Sequence, residues 1–143
     1  MAGPVLIQLP PSLKFNPDVA EPFFESLIEY KDYEFALEAR HASWLEHDAL
    51  DLLTNYKIAL VTSESGNRFP YSESITARNI YVRFHGGEKL YASSYSDEVL
   101  QQYASKFIKW KKKGYRVWVF FNNTMYDSAL NNAAALKRML KDG

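Results

Sequence analysis

The sequence predicts an α/β fold that is TIM-barrel-like: a partial barrel of about five parallel strands alternating with four helices. Three observations lead there. Short apolar runs of strand type alternate with helical patterns, as βαβ units require. Four of the strands pair an apolar face with a second face that turns polar toward the strand's C-terminal end. A barrel with outward helices explains that asymmetry, whereas an open sheet covered on both faces does not. Finally, 143 residues without a repeat, a low-complexity segment or an internal linker make residues 1–143 a single domain around one core.

The elements follow in order. Pro4 to Leu9 (PVLIQL) is an apolar run stopped by Pro10-Pro11, because proline cannot donate to a strand ladder. Asn16-Pro17 reads as an N-cap followed by a first-turn proline, opening an amphipathic helix to about Tyr30 through Phe23, Phe24, Leu27 and Ile28. Tyr33 to Arg40 (YEFALEAR) is the second strand by context, although its Ala, Leu and Glu locally favour helix. Ser43-Trp44-Leu45-Glu46 has the form of a capping box, with Ser43 capping the amide of Glu46 and a helix running from Trp44 to about Tyr56. Ile58 to Thr62 is the third strand. Ser63 to Ala77 is a polar connection of a length uncommon without a use.

Asn79 to Phe84 (NIYVRF) is the fourth strand, closed by His85-Gly86-Gly87. Ser96 caps a helix over about 97–113 that Gly114 terminates, and Tyr115 to Phe121 is the fifth strand. Thr124 and Asp127 are placed to cap the last helix, Met125 to about Lys141.

Composition removes several function classes. The chain has 17 basic and 17 acidic residues, so no global field draws it to nucleic acid or anionic lipid. It has no cysteine, which excludes disulfides, thiolate nucleophiles and Cys-ligated metal centres and suits a reducing compartment. No segment approaches the run of about 18 apolar residues that a membrane span needs, and the N-terminus lacks a signal-peptide pattern. A soluble cytoplasmic protein is the expectation. Aromatics reach 15% of the chain, and most are expected to fill the core.

Strand alternation then selects candidate functional residues. In the second strand Ala36, Glu38 and Arg40 share a face opposite Phe35, Leu37 and Ala39. In the fourth, Tyr81, Arg83 and His85 oppose Ile80, Val82 and Phe84. The fifth sets Arg116, Trp118, Phe120 and Asn122 against Val117, Val119 and Phe121, and the first sets Leu6 and Gln8 against Val5, Ile7 and Leu9. Gln8, Glu38, Arg40, Arg83, His85 and Asn122 are thereby expected at one rim. His41 joins them only if the strand ends before it, which a cap at Ser43 allows.

Several uncommon strings carry a family resemblance: GPVLIQLPPSLKFN at 3–16, EARHASW at 38–44, IYVRFHG at 80–86, Tyr91 and Tyr95-Ser96 within LYASSYS, and VFFNN followed by ALNNAAAL within 119–136. In this order they resemble the YecE-like family, also called domain of unknown function 72. The resemblance implies a TIM-barrel-like fold and no established activity. It also implies that this chain lacks N-terminal strands that family members carry before the GPVLIQLPP segment. Val61-Thr62-Ser63-Glu64 departs from the family's tendency to an acidic residue soon after this strand, unless Glu64 fills that role.

Arg40 and Arg83 either hold Glu38 in a structural ion network or present a two-pronged site for a phosphate or carboxylate. Glu38 and His85 are the candidates for proton transfer, with Arg40, His41, Arg83, Asn122 and Gln8 as ligand-binding candidates. No metal site is expected, since the three histidines show no ligand spacing. Gly86-Gly87 does not make a phosphate loop, no dinucleotide fingerprint is present, and no cofactor is identified. The run KWKKK at 109–113 is a solvated helix end rather than a nucleic-acid patch. Two classes stand: an enzyme or ligand-binding protein for a small anionic or sugar-like molecule, or a non-catalytic nucleic-acid-associated or structural protein. Open sheet edges predict a homo-oligomer or association with a separate N-terminal half.

Overall fold

The computed structural model describes residues 3–86, 95–123 and 128–142. Among these residues six strands and four α-helices follow in the order β1 (Val5–Gln8), α1 (Pro17–Leu27), β2 (Phe35–Glu38), α2 (His47–Asn55), β3 (Ala59–Leu60), β4 (Thr62–Glu64), β5 (Asn79–Phe84), α3 (Asp97–Lys112), β6 (Arg116–Phe121) and α4 (Ser128–Asp142). All pairings are parallel, and the strands form two three-stranded sheets, β1-β2-β3 and β4-β5-β6.

The expected five strands thus become six, because the run at 58–62 supplies two short strands with Val61 between them. The cause lies in the long connection. Thr76 donates its hydroxyl to the Ile58 carbonyl at 2.6 Å and accepts the Leu60 amide at 2.9 Å. One buried side chain therefore takes up the carbonyl just before β3 and an amide within it, groups that a neighbouring strand would otherwise bond. β3 pairs with β2, whereas β4 pairs with β5.

Helices cover one face of these sheets. Phe24 of α1 and Ala49 and Leu53 of α2 pack with Leu37 and Leu60. Leu100, Ala104 and Phe107 of α3 and Leu136 of α4 pack with Val82 and Phe84, which β6 extends through Val117 and Val119. A small third cluster of Ala36, Ala59, Val61 and Tyr81 occupies the opposite face, with Leu6 and Trp118 against it. The parity expected from sequence holds for β1, β2, β5 and β6.

Helix starts follow local chemistry. Asn16 accepts the Asp18 amide at 3.0 Å and Pro17 opens α1, while Ser96 accepts the Val99 amide at 3.3 Å at the start of α3. Gly114 ends α3 at φ +98°, a backbone region that favours glycine. The second helix corrects the sequence reading. Residues Ala42–Leu45 form a 3₁₀ turn and α2 starts only at His47, so Ser43 and Glu46 do not make a capping box. The Ser43 hydroxyl instead accepts the Phe15 amide at 2.7 Å, and Glu46 makes no side-chain cap bond. Trp44 is buried, as an apolar anchor should be, and donates its indole N–H to the Leu13 carbonyl. The expected cap by Thr124 and Asp127 lies outside the described residues.

Candidate functional site

Glu38 ends β2 and is completely enclosed. A buried carboxylate is costly unless its oxygens are matched by donors. Here Arg83 of β5 donates Nη1 to Oε1 at 2.9 Å, and Arg40 adds Nη2 to the same oxygen at 3.3 Å. The other oxygen, Oε2, lies 2.8 Å from Nε2 of His85 and accepts the Ser63 hydroxyl of β4 at 2.8 Å. Three strands thus send side chains to one carboxylate at or near their C-terminal ends. Register explains the meeting, since Ser63 pairs with Arg83 and both lie on the face opposite the helices.

Burial alone would push the Glu38 carboxyl up. The hydrogen bonds from His85 and Ser63 and the Arg83 charge outweigh that penalty and bring its pKa down to about 2. The group is therefore an anion at any physiological pH. Because the carboxylate can only accept, Nε2 of His85 carries the proton in their shared bond.

Phe69 flanks this cluster, in contact with both Arg40 and His85. Its ring lies 4.2 Å beneath the Arg40 guanidinium and meets His85 edge-on at a centroid distance of 5.4 Å. Phe69 reaches the site from the connection between β4 and β5, which is pinned along its length. Its own amide bonds the buried Ser65 hydroxyl at 2.8 Å, Thr62 holds the Ser72 carbonyl at 2.9 Å, and Glu73 pairs with Lys106 of α3 at 2.7 Å. Beside these, the Tyr103 hydroxyl is pushed up to about 12, chiefly by burial.

The other expected site residues divide. Gln8 pairs in register with Glu38 and shares its face, but is exposed. Asn122 follows the end of β6, where its amide donates to the Phe84 carbonyl at 2.7 Å; extending the register from Phe84 and Phe121 sets it beside His85. His41 is not in the cluster. Its Nδ1 accepts the Ser43 amide at 3.1 Å and lies 2.9 Å from the Ser43 hydroxyl, capping the 3₁₀ turn. Tyr95 is buried, accepting the Gly86 amide at 2.8 Å, whereas Tyr91 and Gly87 lie outside the described residues. Glu64 accepts the Gly66 amide and the Tyr103 hydroxyl and takes no part in the arginine cluster.

Ser63 and Phe69 are the members that sequence reasoning missed. Ending the third strand at Thr62 removed Ser63 from the alternation. Phe69 lies in the connection over 63–77, whose unusual length is the only sign in the sequence that it has a role. Among the described residues no group of three or more His, Cys, Asp or Glu could hold a metal ion, and no helix is long and apolar enough to cross a membrane.

A family model described as "Protein of unknown function DUF72" matches residues 1–143. No curated protein matches the chain. A crystal structure of a DUF72 family protein from Thermotoga maritima is similar with a TM-score of 0.84 and 32% identity, over 95% of this chain and 56% of that one. Two crystal structures of a DUF72 family protein from Enterococcus faecalis are similar in fold. They have TM-scores of 0.83 and 0.78 at 19% and 20% identity, covering 96% of this chain in each case and 58% and 61% of theirs. The chain therefore spans little more than half the length of these solved structures. By its match over the whole of its length, the chain belongs to the DUF72 family.

Proposed function

We propose that this chain is one wall of a TIM-barrel-like domain and binds a small anionic, sugar-like ligand at the rim formed by the C-terminal ends of its strands. The carrying observation is a charge imbalance: two guanidiniums, Arg40 and Arg83, meet the single carboxylate of Glu38. One carboxylate neutralises one of them, so the cluster keeps a net positive charge even with His85 neutral. An anion at the rim completes it. Arg40 is the more accessible of the pair, with its side chain 22% exposed against 10% for Arg83, and its buried Nε has no hydrogen-bond partner among the described residues. Helices on one side of the strands and a polar rim on the other support the barrel reading.

Within this reading Glu38 and His85 divide the proton-handling role expected of them. Glu38 is a fixed charge that orients the imidazole of His85 through Nε2, which leaves His85 as the member of the pair that would pass a proton to or from a ligand. Arg40 and Arg83 hold the anion, with Gln8 and Asn122 flanking it. Calorimetric titration with inorganic phosphate tests the site. Binding is expected, weakened about tenfold or more in Arg40→Ala, as loss of a charge-assisted contact predicts. Absence of binding at millimolar phosphate would show the cluster to be a structural ion network instead.

We also infer that a second copy, or a separate N-terminal half, pairs with the outer edges of β1 and β6, which have no strand partner among the described residues. All strands run in one sense, so β6 of one copy can accept β1 of another in parallel, and the balanced charge of the chain opposes nothing. Val5 on the β1 edge is 41% exposed. Light scattering should report a dimer that Val5→Lys weakens, and a monomer at every concentration would overturn the pairing of two copies.

A further inference from the structure

Phe120 sits on β6 as the register partner of Arg83, on the face opposite the helices. Adjacent strands lie about 4.8 Å apart, so the two side chains leave the sheet as immediate neighbours. One side of the Phe120 ring is taken by Tyr81 of β5, stacked at a centroid distance of 4.9 Å and an interplanar angle of 22°. Tyr81 is buried, but Phe120 is 41% exposed. The ring is thus held flat by a buried partner, with apolar surface left open beside an arginine.

The strand extends this arrangement in both directions. Trp118, two residues earlier on the same face, is fixed by its indole N–H bonding the Asn79 side chain at 3.0 Å. Asn122, two residues later, brings an amide to the rim. Toward the C-terminal end of β6 this face therefore carries Trp118, packed against the small cluster of Ala36, Ala59, Val61 and Tyr81, then the open ring of Phe120, then Asn122. Arg83 is the cross-strand neighbour of Phe120.

From this order we propose that Phe120 is a stacking platform, and that the ligand is a phosphate monoester carried on a ring whose flat face lies on Phe120. The inference rests on the anion-site reading and deepens it by naming the class of molecule attached to the anion. Arg40 and Arg83 take the phosphate, Phe120 takes the C–H or π face of the ring, and Asn122 takes ring hydroxyls or heteroatoms. Sugar faces and aromatic faces share this chemistry, because both present a flat, weakly polar surface to a phenyl ring.

The test compares inorganic phosphate, phenyl phosphate and glucose 6-phosphate by calorimetry on the wild-type protein, Phe120→Ala, Phe120→Leu and Phe120→Tyr. The wild type is expected to bind both ring esters roughly three- to tenfold more tightly than inorganic phosphate, as an added aromatic contact predicts. Phe120→Ala loses that preference while still binding phosphate. Phe120→Leu keeps apolar bulk without a flat face and guards against a folding defect in the alanine variant; it loses the preference too, whereas Phe120→Tyr retains it. Phosphate binding without a ring preference, or a preference that survives in both Phe120→Ala and Phe120→Leu, would overturn the platform alone. No phosphate binding by the wild type would overturn the platform and the anion site together.

Discussion

Nε2 of His85 lies 2.8 Å from Oε2 of Glu38, and both side chains are wholly enclosed. A carboxylate so buried is stable only when its oxygens are matched, and Arg83 on the opposite oxygen ties Glu38, His85 and itself into one network. Removing the charge from Glu38 should therefore cost far more than a surface substitution. Glu38→Gln keeps the shape but leaves a buried guanidinium without its counter-ion, and urea unfolding is expected to show a loss of about 3–5 kcal/mol. A loss below about 1 kcal/mol would mean that solvent reaches the cluster.

Acid should act through the same carboxylate. Its folded pKa of about 2 lies below the ordinary 4.5, so the stabilisation is complete above the ordinary value and is lost as pH falls through the folded one. The shift corresponds to about 3 kcal/mol, disappearing between roughly pH 5 and pH 2. Thermal unfolding of the wild type and Glu38→Gln across this range should converge as the pH drops. Parallel curves would assign the acid sensitivity elsewhere.

Arg40 and Arg83 should separate stability from binding. Arg40 holds Glu38 by the longer contact and is the more exposed, so Arg40→Ala is expected to cost about 1 kcal/mol of stability, mainly from its stacking on Phe69. Its effect on phosphate affinity should be the larger one. Arg83→Ala should reverse the order, since the buried carboxylate loses its closer guanidinium. Equal stability losses in the two variants, measured by urea unfolding, would contradict this division.

At the opposite ends of the strands, Glu34 accepts from Asn79 and pairs with Arg116 at 2.8 Å, while Trp118 donates to Asn79. These groups tie the starts of β5 and β6 to the segment entering β2. In a barrel that end serves stability rather than chemistry. Asn79→Ala should cost about 1–3 kcal/mol in urea unfolding and leave phosphate affinity unchanged. A parallel fall in affinity would place this cluster in the site.

Much of this arrangement was legible in the sequence where one periodicity acted alone. NIYVRF gave β5 to the residue, and alternation put Arg83 and His85 on the face of Glu38 because a period of two leaves no other choice. Legibility failed where distant segments compete for the same groups. Nothing local in Ile58–Thr62 announces that Thr76 takes its backbone bonds, so the division into β3 and β4, and with it Ser63, stayed hidden. The same holds for Ser43. Its spacing to Glu46 matches a capping box, but Phe15, 28 residues away, claims the hydroxyl. Phe69 shows the limit most clearly, since a loop residue has no period from which to read its direction.

The most direct test of the central claim is a crystal structure grown with millimolar phosphate. The charge imbalance around Glu38 predicts a phosphate within hydrogen-bond distance of both Arg40 and Arg83 at the rim. A rim empty of anion, with both guanidiniums turned wholly onto protein acceptors, would contradict it.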